Sequence, residues 1–93
     1  MREQTIQSDI IKYIRGLGGY AVKVSVGSGS GIPDILCCID GRFIGIEVKR
    51  PEKRDNASPL QLKHIDWIID AGGLAGVAWD IKSLEEILNA DNV

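Results

Sequence analysis

This 93-residue chain has almost no histidine; His64 is the only one. A lone imidazole cannot build a site of several histidines, and it argues against the usual zinc sites. Cysteine is nearly as scarce. Cys37 and Cys38 stand side by side in an apolar run, and neighbouring strand residues point to opposite faces, which suits neither a disulfide nor a shared metal. Burial as small hydrophobes is the expected role of both. No stretch approaches the roughly 20 apolar residues of a membrane span, so no membrane partner is expected. The opening Met1-Arg2-Glu3-Gln4 lacks the apolar core of a signal peptide, and the cytoplasm is the expected address. Internal repeats and coiled-coil heptads are absent. The glycine-serine stretch Gly27–Gly31 has no Gly-Lys-Ser/Thr ending, which excludes a P-loop, and nothing else asks for a small-molecule cofactor.

Positive charge is also short. The net charge is −2, an unpromising start for a partner of nucleic acid. Its distribution reads differently. Residues 80–93 carry −3, leaving the rest at +1, while Arg42 to Arg54 alone carries +3. Attraction for phosphate, where present, is local to that stretch. A hydrophobic content of 44% with 26% charged residues is ordinary for a globular protein. Residues 1–93 make one domain, small enough that its stability is marginal and partnering would help.

Ile6, Ile10, Ile14 and Leu17 recur at helical spacing over residues 3–17, and Gly18-Gly19 stops the pattern. Tyr20 to Val26 alternates as a half-buried strand, with Tyr20, Val22, Val24 and Val26 on one face and Ala21, Lys23 and Ser25 on the other. Asp34–Ile39 and Arg42–Lys49 read as two strands joined by a tight Asp40-Gly41 turn. Ser58-Pro59-Leu60-Gln61 opens a helix with a capping box and a first-turn proline, running to about Asp70 or Ala71 before Gly72-Gly73. Leu74–Trp79 is a fourth strand, and Ser83-Leu84-Glu85-Glu86 opens a last helix with a second capping box. The order αβββαβα implies an α/β fold: a mixed four-stranded sheet flanked by helices, with the 58–71 helix as the crossover to a parallel strand.

Two carboxylates and a lysine fall at neighbouring strand ends. Glu47 and Lys49, two apart, share one face of their strand, while Ile44, Ile46 and Val48 fill the core from the other. If the hairpin pairs about its turn, Asp34 lies beside Glu47 and Lys49. Charge among buried strand residues is costly unless it is paired or bound to metal. Oxygen ligands at an open site suit Mg²⁺ or Mn²⁺, which can acidify a bound water and neutralise charge building on a phosphate. Lys49 would orient or deprotonate the attacking water, or stabilise the transition state. A surface Glu-Val-Lys triplet with a strand-starting aspartate is the bland alternative to such a metal site.

Gly31-Ile32-Pro33-Asp34, followed by Glu47-Val48-Lys49, resembles the Pro-Asp…(Asp/Glu)-X-Lys nuclease superfamily. More narrowly, Gly31 to Leu36, the strand Phe43 to Pro51 and the helix bearing Gln61 and His64 are similar to the virus-type replication-repair nuclease domain (VRR-NUC). The resemblance spans Glu3 to about Trp79. It implies a restriction-endonuclease-like fold, one nuclease domain over residues 1–93, and hydrolysis of DNA phosphodiesters with Mg²⁺ or Mn²⁺. Small stand-alone members, often phage-encoded, act as homodimers on branched DNA such as Holliday junctions; for such a protein the cytoplasm is that of a host cell. The resemblance makes Asp34 and Glu47 metal-binding carboxylates, the Val48 carbonyl a further ligand and Lys49 the catalytic lysine. Glu3 would complete the metal site and Gln61 would stand near the lysine; helix-start charge and the capping box are adequate structural reasons for these two. Lys23, Ser25, Arg50, Lys53 and Arg54 are the candidate DNA contacts. His64 reads as a helix-surface or DNA-edge residue, and Trp67 and Trp79 as core or subunit contacts. A nicking, flap-cleaving or restriction-like nuclease, and a silent DNA-binding module on the same fold, are the rival readings.

Overall fold

In a computed structural model, residues 1–25 and 29–90 are described. The elements are α1 (Glu3–Gly16), β1 (Tyr20–Lys23), β2 (Ile35–Ile39), β3 (Arg42–Val48), a single 3-10 turn (Pro51–Lys53), α2 (Pro59–Asp70), β4 (Leu74–Ala78) and α3 (Ile81–Leu88). The strands form one mixed sheet in the order β1-β2-β3-β4. β1, β2 and β3 pair antiparallel, and β4 lies parallel to β3. α2 is the crossover that makes the parallel return possible, since no tight turn can join parallel neighbours.

The hairpin register follows from its turn. Asp40 and Gly41 both have positive φ, 52° and 79°, the pair of left-handed conformations a two-residue hairpin loop needs to match strand twist. Ile39 therefore faces Arg42, and the pairing runs back to Ile35 opposite Ile46. One face of the sheet carries Ile35, Cys37, Ile44, Ile46, Val48, Leu74 and Ala78, packed against Ile6, Ile10 and Ile14 of α1 and Leu84 of α3. Ile10, Ile14, Ile35 and Ile46 are wholly inaccessible. Trimming one of them to alanine would cost about 2–5 kcal/mol, a large share of a small domain's stability.

α2 packs on the other face, against β3 and β4. The approach is close because Gly45 has no side chain: a Cβ there would stand 2.6 Å from Ile68 Cδ1 and 3.1 Å from Pro33 Cγ. β3 is thus covered on both sides, and from Ile44 to Val48 every residue is buried.

Several boundaries differ from the sequence-based expectation. β1 ends at Lys23, although the Val24 amide still donates to the Asp34 carbonyl at 2.8 Å; Val26, expected in this strand, lies outside the described residues. β2 begins after Asp34 and β3 stops before Lys49. The last helix starts at Ile81 rather than Ser83. Asp80 is its N-cap, and Ser83 closes the box from the third position instead of opening it. An aspartate at that point out-competes the serine because its carboxylate accepts from the Ser83 amide at 2.7 Å while the serine hydroxyl satisfies amides before the helix. Of the two cysteines only Cys37 is buried; Cys38 is exposed, because α2 does not reach over β2.

Candidate active site

Pro33 is buried and delivers Asp34 to the open end of the β2–β3 hairpin. Beyond the Ile35–Ile46 pair the strands have no further backbone rung, and the Asp34 side chain supplies one. Its Oδ2 accepts from the Val48 amide at 2.8 Å. A carboxylate accepting a backbone N–H is a strong, directional bond, so Asp34 is held sideways against β3, level with Glu47.

Glu47 is only 3% exposed, beneath α2. Its Oε2 accepts from Gln61 Nε2 at 3.0 Å. The orientation of that amide is set by the helix cap: Gln61 Oε1 accepts from the Ser58 amide at 2.8 Å, and the Gln61 amide donates to Ser58 Oγ at 3.2 Å. With its oxygen committed to the cap, Gln61 can turn only its NH₂ towards the acid. The second oxygen, Glu47 Oε1, is buried and has no hydrogen-bond partner. Burial pushes the Glu47 carboxyl up to about 8 from 4.5; the Asp34 carboxylate adds to the rise, Lys49 opposes it, and Glu3 contributes weakly in the same direction as Asp34.

These residues fit a divalent cation. Two carboxylates converge, one of them desolvated with an oxygen left over, and each would gain from a cation that replaces the missing partner. Among the described residues, however, no three acidic, histidine or cysteine side chains close into a ready cluster. Asp34 and Glu47 form a pair, and Glu3 stands outside it, with Arg2, Gln4 and Arg50 around a shallow concavity at the start of α1. Val48 is the residue whose amide holds Asp34. Lys49 is half-buried at the strand end, near enough to act on Glu47 through its charge, with no ion pair among the described residues.

The expected phosphate contacts are more dispersed. Lys23 ends β1 opposite Ile35 and is exposed. Ser25 is exposed beside a hollow that Val24, Ile32, Pro33 and Asp34 also line. Arg50 makes a loose pair with Glu52 at 3.7 Å. Lys53 is exposed on the 3-10 turn. Arg54 is drawn inward, its guanidinium 5.8 Å from the centre of the Trp79 ring and its Nη1 donating to the Pro51 carbonyl at 3.1 Å. Trp79 is half-buried, but Trp67, expected in a core or contact, is 54% exposed. His64 meets Trp67 edge-on with ring centres 5.0 Å apart.

Two buried features carry no motif. Gly45 sets how near α2 comes to β3, and its alternation with Glu47 on one strand face was the available signal. Gln7 is buried one helical turn beyond Glu3 with its Oε1 unpartnered; only the four-residue spacing from Glu3 marked it.

No family model matches the chain. Over 93 residues, covering 99% of this chain and 97% of the relative, it is 29% identical to "Putative nuclease p44" of Acyrthosiphon pisum secondary endosymbiont phage 1. Among solved structures it is similar to a VRR_NUC domain, with a TM-score of 0.72 and 26% identity over 95% of each chain. It is also similar to Hjc, a Holliday junction resolvase of Archaeoglobus fulgidus, with a TM-score of 0.53 and 18% identity, covering 77% of this chain and 62% of that one; at that identity the likeness is one of fold. The Asp34–Glu47–Lys49 strand ends, the glutamine helix above them and a structural match over nearly the whole chain agree: in fold and in sequence the chain is similar to a virus-type replication-repair nuclease domain.

Proposed function

We propose that the chain is an endonuclease that hydrolyses DNA phosphodiesters with Mg²⁺ or Mn²⁺ held by Asp34, Glu47 and the Val48 carbonyl, with Glu3 as an outer acidic partner. The observation that carries this reading is the convergence of Asp34 with a buried Glu47 that has one oxygen held by Gln61 and the other without a partner. A divalent cation there supplies charge neutralisation at a phosphate and acidification of water. The protein's own residues do the rest. Asp34, fixed by the Val48 amide, and Glu47, fixed by Gln61, present preset oxygens, so little reorganisation is needed when substrate arrives. Lys49, beside Glu47, offers an ammonium group to the water that attacks or to the charge that develops on the phosphate. Lys23, Ser25, Arg50 and Lys53 would meet flanking phosphates, with Arg54 available once it leaves Trp79.

Branched DNA is the proposed substrate, a Holliday junction above all, cut by a homodimer. A four-way junction has two-fold symmetry, one 93-residue chain carries one site, and paired cuts need two sites related by the same axis. The relative named as a Holliday junction resolvase supports this choice. So does the lack, among the described residues, of an added recognition element beyond the sheet and its helices, which favours recognition by shape. The test is incubation with synthetic four-way, flap, splayed and linear duplex DNA, with Mg²⁺, Mn²⁺ or chelator. Cation-dependent cleavage concentrated on the four-way substrate is expected. Preference for flap or nicked forms would move the substrate and keep the chemistry; no cleavage of any form would leave a DNA-binding module.

A further inference from the structure

Tyr20, Cys38 and Phe43 are aligned rung by rung across β1, β2 and β3 and share one face of the sheet. This is the face that bears Glu47, and α2 covers it over β3 and β4. The remainder is bare: Tyr20 is 67% exposed, Phe43 is 48% exposed and Cys38 lies open. A wall of α2 borders this floor. Leu60 and His64 close on Gly31, in the segment leading into β2, so this flank of the helix faces the β2 side. Trp67, one turn beyond His64, extends the wall with more than half its surface exposed. We propose that this floor and wall are the surface on which a second copy of the chain docks, the helix flank of each protomer laid over the bare strands of the other.

The occupant follows from chemistry. The floor offers no lysine or arginine, and nucleic acid is held chiefly through phosphate; the densest run of basic residues, Lys49 to Arg54, lies at the far end of β3, and the wall adds Lys63 beside His64. What the face lacks is a helix flank over strands, the same cover that α2 provides for β3 and β4, and the chain carries one such flank. Exchange between two copies satisfies both at once, as a two-fold contact requires. The three aromatic side chains leave on the order of 300 Å² exposed at these fractions. They form the anchor cluster of an interface that needs about 800 Å² per partner. Asp34 stands just ahead of β2, four residues from Cys38 and about 13 Å away by strand rise, so each acid pair would lie one short step from the contact.

The proposal rests on the dimeric reading above and names its interface. Sedimentation of wild-type protein, Tyr20→Glu and Trp67→Glu, with circular dichroism to check the fold, tests it. Both positions are exposed, so the fold should be kept. A wild-type dimer and at least about 30-fold weaker association in each variant are expected, the effect of losing one anchor. Alkylation of Cys38 should be slow in the wild type and fast in Tyr20→Glu, with buried Cys37 slow in both. A wild-type monomer, or variants that stay dimeric, would overturn the interface; so would a monomer whose variants lose DNA binding, since the face would then belong to DNA. Cleavage assays keep the two readings apart. A monomer that cuts branched DNA defeats the dimer and its interface but keeps the hydrolytic reading, and a dimer through this face that cuts no DNA defeats the hydrolytic reading alone.

Discussion

Replacing Glu47 by glutamine should stabilise the metal-free protein at alkaline pH while removing its response to divalent cations. Glutamine has the shape of the protonated acid and can still accept from Gln61. The Glu47 carboxyl rises from 4.5 to about 8 in the fold, first through burial and then through Asp34. Below the lower value both folded and unfolded chains hold the proton. Between the two values only the folded chain does, so the wild type is most stable at low pH in this respect and loses stability as pH rises through about 8. The whole separation corresponds to a ceiling of ~5 kcal/mol. Solvent at the sheet's open end and the Lys49 charge reduce it, leaving about 1–3 kcal/mol as the expected loss. For a domain of this size that is about 4–24 °C in Tm. The assay is urea or thermal unfolding in chelator from pH 5 to 9. The wild-type curve should fall relative to that of the variant, and the two should meet near pH 5. Adding Mg²⁺, Mn²⁺ or non-catalytic Ca²⁺ at pH 8 should raise the wild type alone. Parallel pH profiles, or a variant less stable than the wild type at pH 9, would refute the reasoning.

Lys49→Ala should lower cleavage at least ~100-fold, the loss expected for a positioned charge at the reacting phosphate, with DNA binding and thermal stability nearly unchanged; gel-shift and cleavage assays on the same DNA separate the two. Gln61→Ala removes the N3 half of the capping box and the donor to Glu47, so denaturant unfolding should show a loss of about 0.5–2 kcal/mol alongside reduced cleavage. Gly45→Ala sets a Cβ 2.6 Å from Ile68 Cδ1 and 3.1 Å from Pro33 Cγ, so the Ile68 side chain must repack between α2 and β3; a cost of about 1–3 kcal/mol and weaker Mn²⁺ binding by calorimetry are expected. Ser83→Ala should destabilise by about 1 kcal/mol without touching cleavage, marking it as a fold residue only.

Much of the architecture was legible because short-range signals agreed. Asp40-Gly41 fixed the hairpin register, and that register put Asp34 next to Glu47. The Ser58–Gln61 box fixed where α2 begins. The errors came where two local options competed. Asp80 and Ser83 can both cap, and only the packed chain shows the carboxylate winning. Cys38 had the apolar neighbourhood of a core residue, yet its burial depended on which strands α2 happens to cover, a long-range fact. The closeness of α2 to β3 was only faintly marked, since the alternation of Gly45 with Glu47 shows a shared face but not what packs on it. Trp67, read as a core or subunit contact, lies outside the core of the single chain.

The amide of Gln61 is shared between a helix start and a buried acid, and this makes the first turn of α2 a tuning peg for Glu47. Loosening the Ser58 contact frees the amide to rotate, and a rotated amide would offer the carboxylate an oxygen in place of a donor. Whatever grips or strains the loop ahead of Ser58, a bound DNA arm included, can therefore retune the acid from outside the cleft.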